Sequence, residues 1–339
     1  MTSEVVRLTR RGGRVVGSAR VLPGGRGWPD WSRVVPAVQA ELAAFDHAAG
    51  VCGGEGRVVL QSARAAAEAG TGPGPGSGWL LVRAESPAGP LLLGAAGPAA
   101  GDACAAQLRA ARVDFAAAPQ PVAPAPDWRE RPLLLAPQVA AAVVAGARMA
   151  LASPRAVRLD GRRLLPGFGL VDEVPGLPAG AADDAGQPAG PLRLLDGGRV
   201  AIPPRDPGSG LVPGRARWDH ERARLVADRR CRLVFGGPPA PADAVADRID
   251  LLWCVEGLRR YFPDGRMRLV CLAVLPGAPG WFRVELTGRP LTLLRSAGGV
   301  HGRAAEICAG DRVHTPALLL PPAACLVGGE KGDIGVREV

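Results

Sequence analysis

The stretch that most limits how this chain can fold is residues 133–152, LLLAPQVAAAVVAGARMALA. Three leucines lead into Pro137, and about four helical turns, almost entirely alanine and valine, follow. Gln138 and Arg148 interrupt the apolar surface, roughly 80° apart around a helix of 3.6 residues per turn. A helix that is apolar on nearly every side belongs inside a large domain or inside a membrane. Spanning a bilayer takes about 20 apolar residues, and this run is shorter, carries an arginine and has proline at both ends. The expectation is a core helix.

The 339 residues suffice for two domains or one large one with a substantial core. Hydrophobic residues make up 47% but aromatics only 4%, so that core is built from small side chains. The net charge of +9 is carried by arginine, since Lys331 is the only lysine. A nucleic-acid binder concentrates such charge on one face or in one run. Here the densest pairs (Arg10-Arg11, Arg162-Arg163, Arg229-Arg230, Arg259-Arg260) are isolated from one another, which favours solvated surface over a nucleic-acid interface. Seven cysteines, an odd number with no Cys-x-x-Cys pair, suit buried free thiols in a reducing compartment. The N-terminus has no apolar signal region, and a cytoplasmic location is expected.

Along the chain, short strand candidates fall at Val15-Val16, Arg57–Leu60, Trp79–Val82 and Leu91–Leu93. Helices are expected over Ser32–Phe45, with Val35, Val38, Leu42 and Phe45 on one side, and over Asp102–Val113. GTGPGPGSG (70–78) reads as a loop. The Pro/Ala-rich residues 116–128 read as an extended linker, which divides a smaller N-terminal α+β domain (1–115) from a β-rich C-terminal domain (129–339) around the core helix. In that domain PLRLLDGGRVAIP predicts a hairpin turning at Asp196-Gly197-Gly198. Residues 206–217 are expected to form an exposed loop, and 240–260 to contain a helix with Val245, Ile249, Leu252 and Trp253 along one side. RMRLVCLAVL and GWFRVELTGRPLTLL predict strands, Gly302–Cys308 a short helix, and TPALLLPPAACLVGG a closing strand. The layout is α+β.

No catalytic centre emerges from residue types alone. None of His47, His220, His301 and His314 has metal-ligand spacing to a second ligand on a confident helix. There is no phosphate loop, no Gly-x-Gly-x-x-Gly after a strand and no Gly-x-Ser-x-Gly elbow. GGEKGD (328–333) reads as a polar tail. The adjacent acids Asp172-Glu173 and Asp183-Asp184 are explained at least as well by turn chemistry as by catalysis. Cys308 and His314 are the one pair that suggests a stand-alone cysteine enzyme, but a buried structural thiol is the better account of Cys308.

Several C-terminal segments, taken in order, resemble the TldD/PmbA family (the TldD and TldE proteins, once called modulators of DNA gyrase). LLLAPQVAAAVV is similar to the family's apolar strand, proline and buried helix. DGRRLLPGFGLVDEVPGLPA resembles its proline-glycine turn, Asp-Glu pair and Gly-x-Pro-Ala; LRLLDGGRVA resembles the hairpin after it. GWFRVELTGRPL, GRAAEICAGDRV and TPALLLPPAACLVGG look like the closing blocks. Catalytic members carry His-Glu-x-x-x-His on the buried helix, two zinc ligands and a general base. Aligning Pro137 with the family's proline places Ala145, Gly146 and Ala150 at those positions.

The resemblance therefore implies a metal-free, TldE-like partner, a pseudoenzyme subunit with no cofactor of its own. It would pair with a zinc-bearing TldD-like subunit and help enclose the chamber in which a peptide or amide bond is hydrolysed. Family heterodimers cut unfolded peptides, and some relatives encoded with natural-product pathways hydrolyse amides of cysteine-derived conjugates. The N-terminal part is shorter than the family's usual one, which suits a small substrate. Two further readings stand behind this one: a basic nucleic-acid-associated protein and the stand-alone cysteine enzyme. Nothing in the sequence points to a membrane.

Overall fold

The computed structural model describes residues 5–11, 14–18, 57–61, 79–86, 88–96, 100–152, 154–173, 182–183, 185–203, 205, 211–219, 224–227, 232–261, 265–308, 312–327 and 334–338. The structure is mixed α+β. Seventeen of its described strands join one hydrogen-bonded network, and two form a separate ladder.

The N-terminal part is an antiparallel ladder. β1 (Val5–Arg11) pairs with β2 (Arg14–Ser18) and β3 (Arg57–Gln61), β3 pairs with β4 (Trp79–Ser86), and β4 with β5 (Gly89–Ala96). The expected strands lie within β2 to β5. Helix α1 (Ala100–Ala117) includes the expected 102–113 and packs on β4 and β5, burying Leu108, Ala111 and Phe115. The helix expected over 32–45, the loop at 70–78 and the polar 328–333 lie outside the described residues.

The Pro/Ala-rich segment is held at both ends and in the middle: Ala116 and Ala117 close α1, and Trp128 is buried against Phe282. Strand β6 (Gln120–Pro121) runs parallel to the start of β16 (Gly280–Gly288), and the Val122 N–H donates to the Trp281 carbonyl at 2.8 Å. Gly280 is needed there, because a Cβ would lie 2.7 Å from the Gln120 carbonyl oxygen and also strike Val122.

Then comes β7 (Leu133–Leu135), all three residues buried, and helix α2 (Pro137–Leu151). Proline starts the helix without cost, because its missing N–H would be unpaired in the first turn anyway. Ten α2 residues, among them the whole run Val139–Ala147, are buried in the main core, so the expected core helix is present. Alanine and glycine let it approach its neighbours closely: β18 (Arg312–Leu320), β14 (Ile249–Tyr261) and helix α4 (Pro290–Arg295).

Two sheet regions form the bed of this helix. One is antiparallel, β14 with β15 (Met267–Val274), β15 with β16, and β16 with β19 (Gly335–Glu338). The other runs from β17 (Gly299–Cys308) through β18 to β13 (Arg232–Gly236), β8 (Gly169–Glu173), β9 (Leu192–Asp196) and β10 (Arg199–Val200). β7 joins them, parallel to β14 and antiparallel to β18. The hairpin turns at Gly197 and Gly198 as expected, both at positive φ (54° and 85°), and Gly198 lies against the Leu165 carbonyl where no side chain fits. The separate ladder is β11 (Ala216–Asp219) with β12 (Arg224–Ala227). Short helices α3 (Ala242–Ala246) and α5 (Ala323–Val327) and the 3-10 turns Trp128–Glu130 and Pro154–Leu159 complete the described elements.

Five expectations are corrected. The 240–260 helix is only α3, because Asp247 turns extended (φ −120°, ψ 90°) and Ile249–Leu251 pair with β7 as strand. Residues 302–308 are strand, held by β18, instead of a short helix. The expected strand 280–294 breaks at Arg289, where Pro290 opens α4, and the closing strand ends before α5. The 206–217 segment is no exposed loop at its end, since Gly214, Arg215 and Ala216 are buried.

Candidate functional site

Helix α2 brings Ala145 and Gly146 into the core, while Ala150, one turn on, is half-buried. These side chains offer methyl groups and a hydrogen. Zinc needs nitrogen, sulfur or oxygen donors, so these three positions do not fit the metal. Among the described residues there is no group of three histidine, cysteine or acidic side chains able to hold one.

The one charged side chain of this helix is Arg148, in its last turn. Its Nε donates to Asp172 Oδ2 at 3.2 Å. Asp172 also receives Arg215, whose Nε donates to Oδ1 at 3.2 Å and whose Nη2 donates to the Asp172 carbonyl at 2.6 Å. The Arg215 guanidinium further donates to the carbonyls of Gly190 and Gly214, both at 2.8 Å. Both Arg215 and Asp172 are 2% exposed. The strand explains the burial: alternation along β8 turns Leu170 and Asp172 inward and Val171 and Glu173 outward. Asp172 is thus the hub of a buried ion cluster and not a turn residue. Asp183 does show turn chemistry. Its carboxylate accepts the N–H groups of Ala185, Gln187 and Ala216, at 3.0, 2.9 and 2.9 Å.

Cys308 and His314 fall on neighbouring strands, with Cys308 opposite Arg312 and Glu306 opposite His314. His314 Nδ1 lies 3.5 Å from Glu306 Oε2, too far for a hydrogen bond. Glu306 instead accepts Arg232 Nε at 2.9 Å and is also bonded by Arg312, and Arg232 reaches Glu173 at 3.2 Å. Burial opposes the Arg232 charge, but the bonds and charges of Glu306 and Glu173 outweigh it and raise the pKa. His301 is exposed on β17; His47 and His220 lie outside the described residues.

A third polar contact joins α1 to the C-terminal sheet. Trp253 Nε1 on β14 donates to Asp114 Oδ2 at 2.7 Å. Burial raises the Asp114 carboxyl, the Trp253 bond opposes that, and the charge of Asp250 adds to it. Asp250 is itself raised by burial, against the bond and charge of Arg248 and the charge of His301.

No family model matches the sequence, and no curated protein does. Solved structures do. TldE from Thermococcus kodakarensis superposes over 98% of this chain and 95% of its own, with a TM-score of 0.60 at 13% identity. The chain has a TldE-type fold. A putative modulator of a DNA gyrase from Thermotoga maritima matches over 99% of this chain and 94% of its own, at TM-score 0.53 and 10% identity. The TldE-type likeness spans the N-terminal ladder as well as the α2 core, and at these identities it speaks for the fold.

The ion cluster is what reading the sequence missed. One signal for it existed: a lone arginine on an otherwise buried helix demands a buried acid, because an unpaired charge is too costly to bury. The acid lies 24 residues away and the second arginine 43 residues beyond that acid, with no periodicity to connect them.

Proposed function

We propose that this chain is the non-catalytic, TldE-like subunit of a heterodimeric zinc metallopeptidase or amidase. In this reading it shapes the substrate chamber of a TldD-like partner, which hydrolyses a peptide or amide bond in a small peptide or cysteine-derived conjugate. The observation that carries the reading is α2: in a TldE-type fold its helix is an apolar run of alanine, valine and glycine, and alignment of Pro137 with the family's proline assigns Ala145, Gly146 and Ala150 to the family's ligands and base. The zinc belongs to the partner, where it would activate the attacking water. This chain contributes an ordered apolar core helix, held at its end by Asp172, on which the surrounding elements are packed.

The test is co-expression with a TldD-like protein bearing an intact His-Glu-x-x-x-His motif. The expected result is a complex that co-elutes on size exclusion and cleaves an unfolded peptide or a small amide, while this chain alone cleaves neither. Hydrolysis by the isolated chain, or failure to associate with any such partner, contradicts the proposal.

A further inference from the structure

Cys254 on β14 and Cys271 on β15 are direct partners in an antiparallel ladder. Such partners have Cα atoms about 4.5 or 5.5 Å apart, according to their place in the hydrogen-bonding pattern. Both separations fall inside the range of about 4.4–6.8 Å that a disulfide requires. The two side chains turn the same way, into the core cluster that also holds Val143 and Ala147 of α2. Both thiols are free, Cys254 being 6% exposed and Cys271 fully enclosed.

We propose that Cys254 and Cys271 form a modification site: a dithiol that a low-molecular-weight disulfide such as oxidised glutathione converts to a cross-strand disulfide beneath the buried helix. Cys254, the residue of the pair that keeps some exposure, loses its proton and attacks the small disulfide. One small thiolate leaves, and a mixed disulfide remains on Cys254. Cys271 then loses its proton, attacks the Cys254 sulfur and expels the second small thiolate. The protein dithiol is oxidised, the small disulfide is reduced to two thiols, and these carry away both protons. Hydrogen bonding to Cys254 and burial push the Cys271 thiol up. The second step therefore gains from alkaline conditions, since the thiolate is the nucleophile. The bond ties β14 to β15 on the face against which α2 packs.

The test exposes the folded full-length chain to oxidised glutathione at neutral and mildly alkaline pH, then blocks free thiols after denaturation and maps the peptides by mass spectrometry. The expected result is a peptide linking Cys254 to Cys271 that forms faster at the higher pH and disappears on reduction. It is absent from Cys254→Ser. In Cys271→Ser the glutathione adduct accumulates on Cys254 instead. Chain oxidised in urea shows that the linked peptide can be detected. Recovery of both cysteines as blocked thiols from the folded protein overturns the proposal, as does an unresolved Cys254 adduct in the unsubstituted chain.

Discussion

Helix α2 has two unlike regions. From Val139 to Ala147 it presents only methyl-bearing side chains and Gly146 to the core; in its last turn Arg148 is tied to a buried carboxylate. The first region depends on volume, so its stability is spread over many small contacts. The second depends on charge balance, so most of the effect is concentrated in Asp172. The first region fills the core, and the second fixes where the helix ends.

The largest expected effect separates the two regions. Asp172→Ala leaves Arg148 and Arg215 without their shared carboxylate, and breaking a buried ion pair in this way costs about 3–5 kcal/mol. Urea denaturation measures it; a loss below about 1 kcal/mol, the size of an exposed pair, would mean the cluster is not structural. Next, Ala145→His overfills the packed part of α2 and is expected to cost about 1–3 kcal/mol, with Ala150→His costing less because that position is half-buried. Equal costs at the two positions would erase the contrast in packing along the helix. Gly280→Ala probes the strap, where the new Cβ meets the Gln120 carbonyl and Val122; about 1–2 kcal/mol is expected, together with faster proteolysis between residues 116 and 128.

The smallest effect concerns Asp114. A carboxyl whose pKa is raised on folding holds its proton more tightly in the folded state. It therefore adds stability below the ordinary carboxylate pKa, and that addition is lost as pH rises through the raised value. Asp114→Asn keeps an acceptor for Trp253 and removes this dependence. Thermal melts across the acid range should show a flatter pH slope, with a change at neutral pH below about 1 kcal/mol. A slope identical to that of the unsubstituted chain would contradict the assignment.

The buried helix was legible because nine residues without a polar side chain, Val139–Ala147, have one physical home. The Asp-Gly-Gly hairpin was legible because its glycines supply a backbone few other residues adopt. Strand β14 was not. Val245, Ile249, Leu252 and Trp253 fit a helical period, but a strand buried on both faces is also a continuous apolar run, and only the pairing of Ile249–Leu251 with β7 decides between them. Residues 302–308 misled for a related reason, since their strand is made by β18 and not by their own pattern. At the candidate site the assignment of Ala145, Gly146 and Ala150 rests on the family resemblance, whereas Asp172 needed partners that only the fold brings together.

The central claim, that the buried helix α2 holds no metal, is tested most directly by the zinc content of the purified chain. Metal analysis of the isolated protein, after dialysis against zinc, should find no stoichiometric ion, and one equivalent should appear when a His-Glu-x-x-x-His partner is bound. One tightly held zinc per isolated chain would contradict the account.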